Sequence, residues 1–194
     1  MVPQHHIDRL KNELGLEDNF VFGFVGRLVD RKGIAEIYQV FSQLYSSNPR
    51  LRFLFVGSFE NDQVSDEELQ RKIINHPGIL YVGPQYDVPL YLTLMDVFVL
   101  PAWWEGFGNV LVQAAAMGLP VVSTKATGCI DAVSDGYNGI LVNPKSLEEL
   151  RDAMLLLHND SNLRYVFGKN GIEWAKNFES KTIWSEMEKL YLSN

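Results

Sequence analysis

Short runs of β-branched and aromatic residues alternate with helical segments along most of this chain. The runs are NFVFGFVGRL, RLRFLFVGS, GILYVG, DVFVLP, LPVVST and GILVN, and each leads into glycine, proline or a polar residue. Apolar side chains recur at helical spacing over residues 34–45, and a capping serine with an acidic first turn, SDEEL, begins a helix over 65–74. Further helices are predicted over 88–95 and 107–117, and TGCIDAVSDGYNG is rich in turn residues. Because apolar strands linked by helices are buried on both faces, this pattern predicts an α/β fold with a doubly wound, Rossmann-like parallel sheet.

The last part of the sequence, from residue 146, predicts helices alone. The segment SLEELRDAMLLLHND begins with a capping serine and carries an apolar stripe, and two further helices are expected after it. We therefore predict one domain over residues 19–194 with a C-terminal helical extension, preceded by a lead-in segment of residues 1–18. The last helix is expected to pack through Trp184, Met187, Leu190 and Tyr191.

Composition and charge exclude several classes of protein. Hydrophobic residues make up 46% of the 194 residues and charged residues 21%, which is typical of a soluble globular domain. The formal net charge of −7 argues against a nucleic acid partner, since phosphate backbones are bound by basic surfaces. No apolar run reaches the ~18 residues of a spanning helix. The single cysteine, Cys129, fits a reducing compartment, so we predict a cytoplasmic protein.

The loop after the first strand is a candidate phosphate site, since open parallel sheets bind ligands outside the carboxyl ends of their strands. Its sequence, GRLVDRKG over residues 26–33, has neither the GxGxxG pattern of a dinucleotide site nor the GxxxxGK[ST] pattern of a P-loop. It holds three cations between two glycines. Arg27 and Lys32, at the N-terminus of a helix, form a candidate diphosphate clamp. A solvated basic loop is the alternative.

A second candidate loop, PAWWEGFGN over residues 101–109, follows the DVFVL strand. Its glycines let a ligand approach the backbone, and the following helix N-terminus favours an anion. Glu105 is unsuited to binding an anion but can accept hydrogen bonds from sugar hydroxyls. Gln113 follows eight residues later, and at about 100° per helical residue both side chains could approach one cleft. For Gln113, an exposed helix surface is the alternative.

Taken in order, these segments resemble the donor-binding domain of the group 1 retaining glycosyltransferases, also called GT4, which have the two-domain GT-B fold. The resemblance runs from Asn19 onward through GRLVDRKG, FLFVGS, YVG, DVFVLPAWWEGFGNVLVQAAAMGLPVV and DGYNGILV. It implies transfer of a sugar from a nucleoside diphosphate donor to an acceptor hydroxyl with retention of configuration. It also implies that the enzyme needs no metal or other cofactor.

The resemblance assigns roles to individual residues. Arg27 and Lys32 would hold the donor diphosphate and offset charge on the leaving group, and Glu105 would contact the transferred sugar. The second glutamate of the family signature binds the ribose hydroxyls, and here that position is Gln113, so we expect weaker or altered donor binding. The other donor-binding positions implied are Gly26, Gln85 beside the base, and the loop residues Gly106, Phe107, Gly108 and Asn109.

The resemblance further implies that a separate N-terminal acceptor domain completes the active site. This chain alone would then bind a UDP-, GDP- or ADP-sugar without turning it over. The acceptor would be a sugar or a lipid-linked sugar in polysaccharide, lipopolysaccharide or glycolipid synthesis, and peripheral contact of the whole protein with the inner face of the membrane stays open.

Three other functions fit the same fold to a lesser degree. One is a non-catalytic or regulatory nucleotide-sugar-binding domain, to which Gln113 points, and another is a GT-B-fold epimerase or phosphorylase. The third, a dinucleotide-binding oxidoreductase domain, would use an acid near Glu60, but the glycine fingerprint is absent.

Overall fold

The computed structural model of the protein describes residues 2–60, 67–182 and 184. The strands are β1 (Phe20–Val25), β2 (Leu51–Val56), β3 (Ile79–Tyr81), β4 (Val97–Leu100), β5 (Val121–Thr124) and β6 (Gly139–Val142). The helices among these residues are α1 (Gln4–Glu13), α2 (Ile34–Ser47), α3 (Glu67–Asn75), α4 (Val88–Leu92), α5 (Asn109–Ala116), α6 (Cys129–Ala132), α7 (Leu147–Asn159) and α8 (Ser161–Ala175).

The strands form one parallel sheet in the order β3-β2-β1-β4-β5-β6. The chain moves outward from β1 to β3, returns to the other side of β1, and moves outward again from β4 to β6. This confirms the doubly wound, Rossmann-like sheet predicted from the sequence. The direction reverses between β1 and β4, where Phe22 aligns with Val97. Sheets of this kind open a ligand crevice at that position.

Both faces of the sheet are buried, which explains why its strands are continuous apolar runs. Phe22 and Phe24 of β1 are fully buried. Gly23 lies between them because a Cβ there would come within 2.1 Å of the Met95 sulfur. Helix α2 packs beside α7, and α5 packs beside α6 and α8. Right-handed crossovers place these two groups of helices on opposite faces of the sheet.

The predicted elements and the observed ones differ mainly in short segments. The lead-in segment contains α1, whose Ile7 and Leu10 pack against the core. Helix α6 lies in the turn-rich stretch, where its four residues are too few to show helical periodicity. The predicted cap of α7 is confirmed, since the Ser146 hydroxyl accepts a hydrogen bond from the Glu149 amide at 3.4 Å.

Helix α5 begins at Asn109 rather than at residue 107. Gly108 caps it, and its carbonyl accepts hydrogen bonds from the amides of Leu111 and Val112. Some predicted features lie outside the described residues: the start of the helical segment predicted over 65–74, and Met187, Leu190 and Tyr191 of the last helix. Trp184, which was predicted to pack with them, is 68% exposed.

Candidate functional site

The loops that follow β1 and β4 lie side by side at the point where the sheet changes direction. The first loop ends at Gly33, which has a left-handed backbone with φ of 75° and precedes α2. A Cβ at Gly33 would come within 2.3 Å of the Pro101 carbonyl oxygen at the start of the second loop. Only glycine therefore allows the two loops to approach this closely.

Main-chain hydrogen bonds fasten the β4–α5 loop to the loops on either side of it. The Trp103 amide donates to the Arg31 carbonyl at 2.8 Å in the β1–α2 loop. The Glu105 amide donates to the Thr127 carbonyl at 3.2 Å in the β5–α6 loop, and the Gly108 amide donates to the Gly128 carbonyl at 3.2 Å. The backbone on both sides of the Glu105 side chain is thus held at two neighbouring strand ends.

This arrangement brings Lys32 and Glu105 into direct contact. Lys32 ends a short 3-10 turn, Asp30–Lys32, and its ammonium forms an ion pair with the Glu105 carboxylate. Their side chains are only 13% and 14% exposed, so the pair is largely shielded from water. Two residues that the sequence placed in separate loops, one as a phosphate ligand and the other as a sugar ligand, therefore form one charged centre.

The surroundings of Lys32 weaken its hold on a proton. Burial, followed by the charge of Arg31, lowers the pKa of Lys32 from 10.5 to about 8, and the charge of Arg27 acts more weakly in the same direction. The Glu105 carboxylate at its ammonium opposes this change, since an opposite charge favours the charged form. With a pKa of about 8, Lys32 loses its charge at a lower pH than an isolated lysine does.

Arg27 is held by a different carboxylate. Its guanidinium donates to both oxygens of Glu60 at 3.1 and 3.0 Å, and its side chain is 51% exposed. A parallel bridge between Leu28 and Phe59 joins the loops that carry the two residues. The sequence suggested Glu60 only as a ribose ligand of a dinucleotide, whereas the structure makes it the partner of the proposed clamp arginine.

The remaining predicted residues lie in the loops after β1, β3 and β4 and in helix α5. Gly106 and Phe107 are exposed between Glu105 and α5. Gln113 is exposed one turn into α5. Because Glu105 precedes the helix, the argument from helical periodicity that linked it to Gln113 was wrong. Gln85 lies beyond β3 at the edge of the sheet and donates to the Val82 carbonyl at 2.8 Å. Gly26 follows β1, and Asn109 is the first residue of α5.

Trp103, Glu36 and Lys145 anchor the β4–α5 loop, and the sequence did not single them out. The indole Nε1 of Trp103 donates to Glu36 Oε1 at 2.7 Å, and Glu36, at 8% exposed, is buried in the first turn of α2. Its other oxygen, Oε2, is buried and has no hydrogen-bond partner among the described residues. The Lys145 ammonium lies 3.9 Å from the centre of the Trp103 ring, and Lys145 has a left-handed backbone with φ of 66°. In the sequence, the adjacent residues Trp103 and Trp104 are the only sign of this arrangement.

The second tryptophan of the pair faces solvent. Trp104 is 53% exposed and stacks against the Arg31 guanidinium, whose central carbon lies 5.6 Å from the ring centre. Two adjacent residues of the same type therefore have opposite environments, one anchored and one at the surface.

The described residues contain neither a cluster of metal ligands nor a membrane-spanning helix. Across residues 2–60, 67–182 and 184, no three His, Cys, Asp or Glu side chains lie close enough together to hold a metal ion. In that same part of the chain, no helix combines the length and the apolar character needed to cross a membrane.

Solved structures with the same fold include sugar-nucleotide complexes. Anabaena HepE in complex with UDP and glucose superposes on the whole chain with a TM-score of 0.87 at 26% identity, covering 53% of HepE. The C-terminal domain of the group 1 glycosyltransferase LpcC from Francisella tularensis matches 87% of this chain and 90% of that domain, with a TM-score of 0.77 at 24% identity. The match to LpcC concerns the fold alone.

Sequence comparison identifies the family. The profile of the family "Glycosyl transferases group 1" matches residues 6–174. The capsular polysaccharide biosynthesis glycosyltransferase CapM of Staphylococcus aureus is 37% identical over 177 residues, which are 91% of this chain and 47% of CapM. A Campylobacter jejuni N-acetylgalactosaminyltransferase that acts on a diphospho-undecaprenol-linked sugar is 28% identical over 92% of this chain and 46% of its own length. The chain thus spans about half the length of these relatives, and it belongs to the group 1 glycosyltransferases.

Proposed function

We propose that this chain is the donor-binding half of a retaining glycosyltransferase and binds a nucleoside diphosphate sugar at the β1–β4 crevice. The observation that carries the proposal is the contact between Lys32 and Glu105 where the sheet changes direction. A diphosphate needs cations and a sugar needs hydrogen-bond acceptors. Here a cation, Lys32, and an acceptor, Glu105, lie in direct contact. Arg27 adds a second cation, and its charge already acts on Lys32.

The chemistry assigned to these residues is electrostatic. During transfer, negative charge develops on the departing diphosphate, and Arg27 and Lys32 would stabilise it without a metal ion. Glu105 would accept hydrogen bonds from the sugar hydroxyls and orient the ring. The exposed loop residues Gly106 and Phe107, with Gly108, Asn109 and Gly26, would contact sugar and phosphate, and Gln85 would lie beside the base. No nucleophile is assigned to this chain.

The similar proteins support a particular class of sugar donor and a particular kind of biosynthesis. HepE also binds UDP-glucose in a structure with a TM-score of 0.85 at 26% identity, which supports a uridine diphosphate sugar as the donor. CapM supports a role in surface polysaccharide synthesis, and the Campylobacter relative supports a lipid-linked sugar acceptor. A partner domain of the same protein would bind that acceptor at the inner face of the membrane, so the chain alone would bind donor without turnover.

Titration calorimetry with UDP, GDP, ADP and their glucose conjugates tests the proposal. We expect one nucleotide series to bind, and Arg27→Ala to weaken binding of its bare diphosphate about tenfold, because one charge-assisted contact is lost. The matched control is Arg151→Ala, since Arg151 is also partly exposed and ion-paired, to Asp152 at 2.9 Å on α7. A folded chain that binds no nucleotide at millimolar concentration, or equal effects of the two substitutions, would contradict the proposal.

Gln113→Glu is expected to increase the affinity for the same diphosphate about fivefold. A carboxylate accepts from both ribose hydroxyls, and its hydrogen bonds are stronger than those of an amide. Gln43→Glu, also at an exposed position but on α2, controls for the added charge. If the parent chain binds nothing and Gln113→Glu binds, the alternative of a non-catalytic domain of the same fold is favoured, with Gln113 weakening its donor binding.

A further inference from the structure

Lys32 and Glu105 neutralise each other's charge in the crevice. Within the described part of the chain, Glu105 makes its ion pair with Lys32, and both side chains are more than four-fifths buried. A ligand therefore does not meet a free cation and a free carboxylate. A bound ligand must give both Lys32 and Glu105 new partners in place of each other.

A bare nucleoside diphosphate can offer a new partner to Lys32 but not to Glu105. Its phosphate oxygens would attract the Lys32 ammonium, which would leave the Glu105 carboxylate shielded from water and next to added negative charge. Such a carboxylate is unfavourable because its solvation is lost and the like charges repel. Some of the binding free energy of the diphosphate is therefore lost at Glu105.

A diphosphate that carries a sugar offers new partners to both Lys32 and Glu105. While the phosphates take Lys32, the sugar hydroxyls donate hydrogen bonds to Glu105 and remain neutral. The carboxylate then loses its cation but gains donors, so the disadvantage of the bare nucleotide is removed.

From this difference we infer that Glu105, by competing for Lys32, makes the crevice selective for a nucleotide sugar over the bare nucleoside diphosphate. The inference rests on the proposed function and adds a specificity-determining role to it. Its consequence for turnover is that the product diphosphate, which has lost its sugar, is held less tightly than the donor. Weak binding of the product favours its release, a step that limits many enzymes.

A different arrangement of Lys32 predicts the opposite effect of Glu105 on UDP affinity. If Lys32 could hold phosphate and Glu105 at the same time with its three donors, Glu105 would position the lysine and assist diphosphate binding. Removing the charge of Glu105 would then weaken the binding of UDP. The sign of that effect distinguishes the two arrangements.

The experiment is calorimetric titration of the chain with UDP and with UDP-glucose, comparing the parent with Glu105→Gln. The substitution keeps the size of the side chain and removes its charge. We expect UDP to bind about five to ten times more tightly to Glu105→Gln and UDP-glucose to bind no more tightly than to the parent. Glu105→Ala is expected to change UDP binding in the same direction, and thermal unfolding of each variant establishes that it is folded.

Glu173→Gln is the matched control. Glu173 is paired with Lys176 at 2.7 Å on the protein surface, and both side chains are 57% exposed, so this variant loses the same charge from an exposed pair outside the Lys32–Glu105 contact. It should leave both affinities unchanged. Equal or weaker UDP binding by both Glu105 variants overturns this inference while the proposed function stands. Failure of the folded parent to bind any nucleotide overturns the proposed function and this inference together.

Discussion

Lys32→Ala is expected to reduce the affinity of this chain for its nucleoside diphosphate by about 100-fold or more. The substitution removes a shielded cation that would contact phosphate, and it leaves Glu105 as an uncompensated carboxylate beside the ligand. Truncating one member of a buried charge pair costs about 2–5 kcal/mol, and about 2.7 kcal/mol corresponds to 100-fold. The effect should exceed that of Arg27→Ala because the Arg27 side chain is 51% exposed, whereas that of Lys32 is 13% exposed.

The pH dependence of binding provides the check on Lys32. Its pKa is lowered to about 8, so the cation is present below that pH and is lost as the pH rises through it. Affinity for UDP should therefore fall above about pH 8, since the terminal phosphate, with a pKa of about 6, is already ionised there. Lys32→Arg should remove this dependence, because a guanidinium stays charged. A parent chain whose UDP affinity is constant up to pH 10 would contradict the prediction.

The titration of Lys32 does not itself destabilise the folded chain over that pH range. The pKa of Lys32 is lower in the folded chain than its ordinary value of 10.5, so the unfolded chain binds more protons between about pH 8 and 10.5. The contribution of Lys32 to stability therefore rises with pH in this window, while its contribution to diphosphate binding falls. Lys176→Ala, at an exposed surface pair, is the control for loss of a lysine charge.

Trp103→Ala is expected to lower the free energy of unfolding by about 3–5 kcal/mol. The substitution removes a large ring and also the donor to Glu36, which would leave a buried carboxylate with both oxygens unsatisfied. Urea unfolding measures the effect. The adjacent Trp104→Ala is the matched control, because Trp104 is 53% exposed and should contribute about 1 kcal/mol or less.

A double substitution separates the two causes of this instability. Adding Glu36→Leu to Trp103→Ala removes the unsatisfied carboxylate, so the double variant should be more stable than Trp103→Ala alone. Similar stabilities of Trp103→Ala and Trp104→Ala would refute the assignment of Trp103 as the anchor of the loop.

Much of the fold could be predicted because each step depended on local sequence. The strands are apolar on both faces, so their runs stood out, and the loops at their carboxyl ends followed from the parallel sheet. That reasoning also placed Lys32 and Glu105 at one edge of the sheet. Their direct contact could not be predicted, since it depends on the close approach of Gly33 to Pro101.

The partners of the charged residues were the main gap in the sequence-based prediction. Arg27 pairs with Glu60, 33 positions away, and Trp103 bonds to Glu36, 67 positions away. A single sequence carries no signal for such pairs, because either carboxylate could equally be solvated. The fourteen-residue helix α2 was recognised from its apolar stripe, whereas α6, with four residues, spans too little for any stripe to appear.

The loop that carries Glu105 is tied to both of its neighbours through main-chain atoms. Hydrogen bonds from the amides of Trp103, Glu105 and Gly108 join main-chain atoms, and the side chains of Trp104 and Phe107 take no part in them. Exposed positions such as Trp104 and Phe107 can therefore be exchanged while the backbone of the crevice keeps its shape. A scaffold of this kind suits directed evolution of donor preference, because new sugar contacts can be introduced at these positions without rebuilding the loop.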